Sequence, residues 1–248
     1  MHCFYVDSLG GERVSLGEEE SAHCVRVLRL GEGAQVMLTD GAGTLAQGEL
    51  VAVGKRAVEV AVAQRERLPR RPGQRTILAV APTKNAERME WLVEKVTEVG
   101  CGAVVPLLCE RGVRVRINGA RLERVAVSAL KQSQGAYLPK IYPMVPLKAF
   151  LDQLAELESG MQDGGELGEG YIRAVAHCDE GERRDLGGML RADAARPLVV
   201  LIGPEGDFTR EEIAMAQGCG FAPVTLGAAR LRTETAALVA AVLAGVRG

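Results

Sequence analysis

Two stretches near the C-terminus combine residue types that could do chemistry: Ile202-Gly-Pro-Glu-Gly-Asp207 and Leu226-Gly-Ala-Ala-Arg-Leu-Arg-Thr-Glu234. The apolar runs Leu198–Ile202 and Phe221–Leu226 lead into them, and a helical stretch follows each. Leu198–Ile202 lacks alternation, as expected of a strand covered on both faces of a parallel sheet. Gly203-Pro-Glu-Gly206 is turn chemistry, and Thr209 with Glu212 reads as a capping box opening a helix. Two such loops at the carboxyl ends of adjacent strands would wall the crevice in which α/β proteins bind ligands. The second loop opens the apolar helix Thr233–Val246, with Thr233 as N-cap and Glu234 favourable near the positive helix end. Arg232 does not fit that account. A cation at a helix N-terminus opposes the dipole, so a role directed at a ligand explains it better.

Several familiar chemistries are excluded. No Gly-Lys-Ser/Thr follows Gly203–Gly206, so this is not a Walker-type phosphate loop, and no strand runs into G-x-G-x-x-G. There is no G-x-S-x-G elbow, and His2, His23 and His177 are far apart in sequence. The six cysteines have no C-x-x-C spacing, so neither a zinc site nor a disulfide framework is expected. No apolar run approaches the roughly 18 residues that cross a bilayer, and Met1–Asp7 does not read as a signal peptide. The expectation is a cytoplasmic, membrane-free protein that needs no metal.

The elements that must position these loops come in two styles. Residues 1–64 read as mostly β: Cys3–Val6, Arg13–Leu16, Ala34–Thr39, Thr44–Val53 and Ala57–Ala63, with Asp40-Gly41 as a hairpin turn. One helix, from about Glu18 to Leu28 and closed by Gly31, interrupts them, which suggests a small barrel. Arg65–Arg75, with two prolines and five arginines, marks a linker and the domain boundary. From Thr76 the rhythm is β-α: strands Thr76–Ala81, Ala103–Leu108 and Tyr171–Ala176, and helices Asn85–Val99, Asn118–Ser133 and Val145–Leu157. Met89, Leu92, Val93, Val96 and Val99 share one face of the first helix, and Ser159–Gly170 reads as a loose loop. Such alternation argues a parallel α/β sheet.

Charge is unevenly spread. Net charge is −2, yet residues 65–140 carry 15 Lys and Arg against 7 Asp and Glu, a local field able to steer a polyanion.

These residues together resemble a known family. Ile202-Gly-Pro-Glu-Gly and Leu226-Gly-x-x-x-Leu-Arg-Thr-Glu-Thr-Ala236 are similar to the SPOUT methyltransferases, within them the RsmE type acting on N3 of a specific 16S rRNA uridine. The match continues through H-C-V-R-V-L-R-L, T-D-G-A-G, P-T-K-N-A-E-R-M-E-W-L-V-E-K-V-T-E-V-G and K-Q-S-Q-G-A-Y-L-P-K-I, and so covers the whole chain. Two positions depart from the pattern. Asp207 stands where many relatives carry glycine, and Lys131-Gln-Ser-Gln-Gly135 replaces a commoner Glu-Gln-Ser. An acid near a helix start should be tolerated at the first.

The resemblance implies a PUA-like barrel over 1–68 and a trefoil-knotted SPOUT α/β domain over 69–248. It also implies a homodimer in which two subunits complete each site. S-adenosylmethionine would be held by His177, Leu201, Ile202, Gly203, Gly206, Thr225, Leu226, Gly227 and Leu231. Glycine suits such loops because it lets backbone approach a ligand closely. Arg232 would stabilise charge on the uracil, and Glu205 would either accept the N3 proton or hold the turn. Arg26 and Arg29, with Lys84 and Arg111 of the basic band, would track RNA phosphates of the 16S rRNA or small ribosomal subunit. The competing readings are a SPOUT enzyme acting on tRNA or a ribose 2′-oxygen, and an RNA-binding module that has lost its chemistry.

Overall fold

The computed structural model describes residues 1–54, 57–114, 116–161 and 170–246. They divide into two compact units, Met1–Arg70 with Val127–Leu138, and Arg71–Ala126 with Pro139–Gly248.

The first unit is built on a five-stranded sheet. Its strands are β1 (His2–Tyr5), β2 (Arg13–Ser15), β3 (Gln35–Thr39), β4 (Thr44–Val53) and β5 (Val58–Arg67), in the order β1-β3-β4-β5-β2. Only β1 and β3 pair in parallel. Phe4, Val36, Leu38, Leu50, Val58 and Val60 are fully buried between them. Asp40-Gly41 makes the expected turn: Asp40 Oδ1 accepts from the N–H groups of Ala42 (2.8 Å) and Thr44 (2.9 Å), and Gly41 has φ 64.

Two expectations need correction here. The interrupting helix is α-helical only over α1 (Glu18–Ala22) and continues as a π turn, His23–Val27. It is closed by Arg29, at φ 53, rather than by Gly31. Nor is Arg65–Arg75 a free linker. Arg65–Arg67 extend β5 against Ala46, Leu45 and Thr44, and Pro72–Arg75 form a 3-10 turn.

Val127–Leu138 joins the first unit through its own hydrogen bonds. Lys131 Nζ lies 2.6 Å from Glu20 Oε1, Gly135 O accepts from Thr39 Oγ1, and Gly43 N donates to Ala136 O. Tyr137 Oη donates to Leu68 O at 2.6 Å.

The second unit carries a parallel sheet in the order β11-β13-β10-β12-β6-β7-β8, with β9 also on β7. These strands are β6 (Ile77–Val80), β7 (Ala103–Leu108), β8 (Lys140–Ile141), β9 (Val145–Pro146), β10 (Ile172–Ala176), β11 (Arg184–Asp185), β12 (Leu198–Ile202) and β13 (Ala222–Thr225). The helices are α2 (Ala86–Glu98), the first part of α3 (Gly119–Ser133, of which the residues from Val127 on belong to the first unit), α4 (Leu147–Asp152), α5 (Leu154–Gly160), α6 (Leu186–Ala192), α7 (Arg210–Gly218) and α8 (Thr233–Gly245). Every residue of β12 is buried, as its unbroken apolar run requires. However, β12 and β13 are not neighbours. β10 lies between them, so three strand ends rather than two face the same crevice.

Asn85 caps α2, its Oδ1 accepting from Glu87 N, and Met89, Leu92, Val93 and Val96 are buried as expected. Val99 instead lies beyond the last turn, exposed, and Thr97 takes the inward place with its hydroxyl on Val93 O. The helix expected over 145–157 is two short helices, α4 and α5, broken at Gln153. Of the loop expected over 159–170, Ser159 and Gly160 belong to α5, and 162–169 lie outside the described residues.

Gly43 offers a test of how the first unit is held. It sits at φ 110, and a Cβ there would come 2.5 Å from Tyr137 Oη. Gly43→Ala should therefore lower stability by roughly 1–3 kcal/mol, read by urea denaturation.

Candidate active site

In the second unit a pocket of about 960 Å³ opens at the carboxyl ends of β10, β12 and β13, beside the N-terminus of α8. That volume suits a nucleoside-sized ligand, and strand-end crevices are where α/β sheets bind ligands. Nine of the residues singled out by sequence meet on its wall. His177 comes from the first loop, Ile202, Gly203 and Glu205 from the second, and Thr225, Leu226, Gly227, Leu231 and Arg232 from the third.

Leu201 and Gly206 do not line it. Leu201 is fully buried in the core and its backbone pairs with Val175 and Ala79. Gly206 faces Arg111, whose Cβ would lie 3.3 Å from a Cβ placed there.

The walls are set by packing and hydrogen bonds. Gly203 is closely packed: a Cβ would come 3.0 Å from the Phe208 ring. Gly203 O accepts from Thr233 Oγ1 at 3.0 Å, which joins the second loop to α8. Thr233 is thus not the N-cap. Arg232 occupies that position, with extended backbone (φ −70, ψ 156), an exposed side chain and no capping hydrogen bond. Glu234, in the first turn, is buried and pairs with Arg88 Nε at 3.5 Å, so a carboxylate already meets the helix dipole. Thr225 Oγ1 donates to Gly227 O at 2.9 Å across a turn for which Gly227 takes φ 124. The expected capping box forms, with Glu212 N on Thr209 Oγ1 and Thr209 N on Glu212 Oε2.

Glu205 is exposed on the pocket wall, and its Oε1 accepts from Lys84 N at 3.1 Å. This bond ties the loop after β6 to the loop after β12. Arg114, from the loop after β7, holds the β6 loop from another side by donating to Thr83 O and Lys84 O. Arg111 donates to Gly206 O (3.1 Å) and Phe208 O (3.4 Å), so its guanidinium shapes the loop. Lys84 is exposed, as are Arg26 on the π turn of the first unit and Arg29 just beyond it.

Asp207 is tolerated for a reason other than proximity to a helix start. Its φ is 63, in the left-handed region that glycine enters freely and that Asp accepts better than most residues. Its carboxylate accepts from Cys178 N (2.7 Å) and Phe208 N (2.9 Å). Asp207, Cys178, Arg183 and Arg230 all line the pocket and were not singled out as site residues. Arg230 was legible, being two residues before Arg232 in the same loop. Nothing in the sequence marks Arg183, which reaches the site by donating to His177 O.

His177 is the electrostatic oddity. Both ring nitrogens are shielded from solvent and, among the described residues, have no hydrogen-bond partner. Burial holds its pKa below the usual histidine range; Asp207 and Asp179 oppose that shift and Arg183 reinforces it. The pocket wall thus combines a shielded, neutral imidazole with three arginines.

Comparison with known proteins accounts for this architecture. Residues 70–245 match the RNA methyltransferase domain model and residues 16–63 the RNA methyltransferase PUA domain model. The chain is 30% identical to the ribosomal RNA small subunit methyltransferase E of Mycobacterium bovis, over 98% of this chain and 90% of that one. The chain belongs to this methyltransferase family. Two solved members superpose closely. A probable rRNA-methyltransferase from Porphyromonas gingivalis has a TM-score of 0.78 and 36% identity, covering 97% of this chain and 95% of that one. A ribosomal RNA small subunit methyltransferase E from Neisseria gonorrhoeae, bound to S-adenosyl methionine, has a TM-score of 0.79 and 25% identity with the same coverage. The family's pairing of a PUA domain with a methyltransferase domain thus spans nearly all of this sequence.

The fold opposes protonation of His177, so its contribution to stability is complete above the unfolded-state value and is lost as pH falls from there through the lower folded-state value. Below about pH 6.5 the unfolded chain takes up this proton first. His177→Gln should flatten the acid-side loss of stability there and leave the neutral range unchanged, as measured by urea titrations at a series of pH values.

Proposed function

We propose that this enzyme transfers a methyl group from S-adenosylmethionine to N3 of one uridine in 16S rRNA, with Arg232 as the residue that stabilises the uracil anion. The observation that carries the reading is the position of Arg232. It stands at the exposed N-cap of α8, unneeded for capping, on the wall of a pocket large enough for a nucleoside.

The residues present fit the methyl donor. Ile202, Leu226 and Leu231 offer apolar surface to a purine, and Glu205 and Asp207 favour a cation. When bound, S-adenosylmethionine supplies an electrophilic methyl group on a sulfonium and departs as S-adenosylhomocysteine. Uracil N3–H is a weak acid, so the protein must favour the anion. A guanidinium facing the carbonyl oxygen beside N3 does this, and a preorganised donor of that kind contributes about 3–4 kcal/mol. Holding both reactants in line supplies much of the remaining acceleration. Because N3 lies on the Watson–Crick edge, the target must be unpaired or extruded.

Glu205 has two roles open to it. Its Oε1 holds the loop after β6 through Lys84 N, and its carboxylate borders the pocket, where it could accept the N3 proton. Arg26, Arg29 and the Lys84 side chain are the phosphate contacts of this reading, with Arg111 adding charge from its fixed place in the loop. A homodimer completes it. α8 is apolar on all sides, and Leu238, Val239, Val242 and Leu243 are only half-buried, a face suited to a second copy. No helix among the described residues is long and apolar enough to cross a membrane, and the cytoplasm is the compartment this reading assigns.

In a strain lacking the gene, mass-spectrometric mapping of rRNA should show one methyluridine missing, restored by the wild-type chain. Arg232→Ala should fail to restore it while still binding the methyl donor; normal turnover in that variant would remove Arg232 from the chemistry. Glu205→Gln keeps an acceptor for Lys84 N but not the base, so it decides between the two roles of Glu205. A proton acceptor would lose roughly 10²–10⁴-fold in kcat, whereas a clamp would lose little.

RNA affinity should fall steeply with salt, the log–log slope growing by about 0.7 for each single-strand phosphate neutralised. Arg26→Ala and Arg29→Ala should each reduce that slope. A flat salt response would discard the phosphate track.

A further inference from the structure

We infer that Asp207 is a positioning residue of the methyl-donor pocket, clamping the His177–Cys178 wall to the Gly203–Phe208 loop while placing a carboxylate beside the cationic ligand. This rests on the reading of the pocket as an S-adenosylmethionine site.

The geometry begins in the sheet. β10 and β12 pair residue for residue as far as Ala176 and Ile202, and there the ladder stops. The two chains then part around the pocket, and backbone pairing no longer sets their separation. Asp207 Oδ2, 2.7 Å from Cys178 N, makes a link beyond the last ladder pair and bridges residues 29 apart in sequence. Its other oxygen accepts from Phe208 N, and Arg111 holds the carbonyls of Gly206 and Phe208 on either side. The bridging residue is therefore itself fixed. His177 gains from that bridge, because its ring has no hydrogen-bond partner among the described residues and its carbonyl accepts from the exposed Arg183.

The residue type also matters. At φ 63 a glycine would satisfy the backbone without strain, so a carboxylate there needs a side-chain task. Bridging is one task and charge is the second. Arg183, Arg230 and Arg232 surround the pocket and would repel a sulfonium, and Asp207 and Glu205 are the carboxylates that line it.

The test uses the purified full-length chain and two ligands that differ in charge at one atom: S-adenosylmethionine, a cation at sulfur, and S-adenosylhomocysteine, its neutral thioether. Asp207→Gly keeps the backbone conformation and removes both bonds and the charge. Asp207→Asn tolerates the same conformation and keeps one acceptor while losing the charge. Calorimetry should show Asp207→Gly weakening both ligands by about tenfold or more, the expected effect of losing a charge-assisted tie. Asp207→Asn should weaken S-adenosylmethionine by a larger factor than S-adenosylhomocysteine. In turnover, KM for the methyl donor should rise by a larger factor than kcat falls. Wild-type affinities in Asp207→Gly, or equal losses of the two ligands in Asp207→Asn, overturn the inference. Failure of the wild-type chain to bind either ligand instead overturns the pocket assignment on which it rests.

Discussion

Everything at this site follows from a parallel ladder that ends at one level. Val80, Ile202, Ala176 and Val224 are cross-strand partners at the carboxyl ends of β6, β12, β10 and β13. Beyond them pairing fades, the last links being Ala81 N to Ile202 O and Thr225 beside Asp185, and the loops must be held by something else. A set of side chains takes over: Glu205 on Lys84 N, Asp207 on Cys178 N, Thr233 on Gly203 O, and Arg111 on two carbonyls of the second loop. A crevice forms because the ladder stops; it keeps its shape because these bonds replace the ladder.

The same arrangement sets the electrostatics. Three arginines and two carboxylates line a pocket that also contains a shielded, neutral imidazole. In the proposed reaction a cationic ligand and an acceptor that must become anionic would make opposite demands on one cavity. Carboxylates on the second loop and Arg232 on the third would meet those demands from different walls. Arg232 can be spared for this because α8 does not need it: Glu234, paired with Arg88, already satisfies the dipole of that helix.

Asp207 shows how a residue can be accepted for the wrong reason. Asp207 looked like an acid accepted at a helix start, but it is a left-handed residue that ties two loops. Its partner, Cys178, comes from another part of the chain, and neither that contact nor the backbone angle is written in local composition.

The sequence by itself determined the α/β alternation, the buried strand Leu198–Ile202, the capping box at Thr209 and Glu212, the Asp40-Gly41 turn and the family motifs. All of these rest on local periodicity, turn chemistry or capping geometry, which act over a few residues. Arg232 was legible for the same reason, as a local conflict between a charge and a helix dipole. Only the tertiary structure decided that β10 inserts between β12 and β13, which brings His177 to the middle of the crevice. It alone decided that Thr233 bonds to Gly203 rather than capping its own helix. It also joined 127–138 to the first unit, and left Leu201 and Gly206 off the pocket wall. Strand order and side-chain direction depend on contacts between residues far apart in the chain, and local pattern carries no record of those distances.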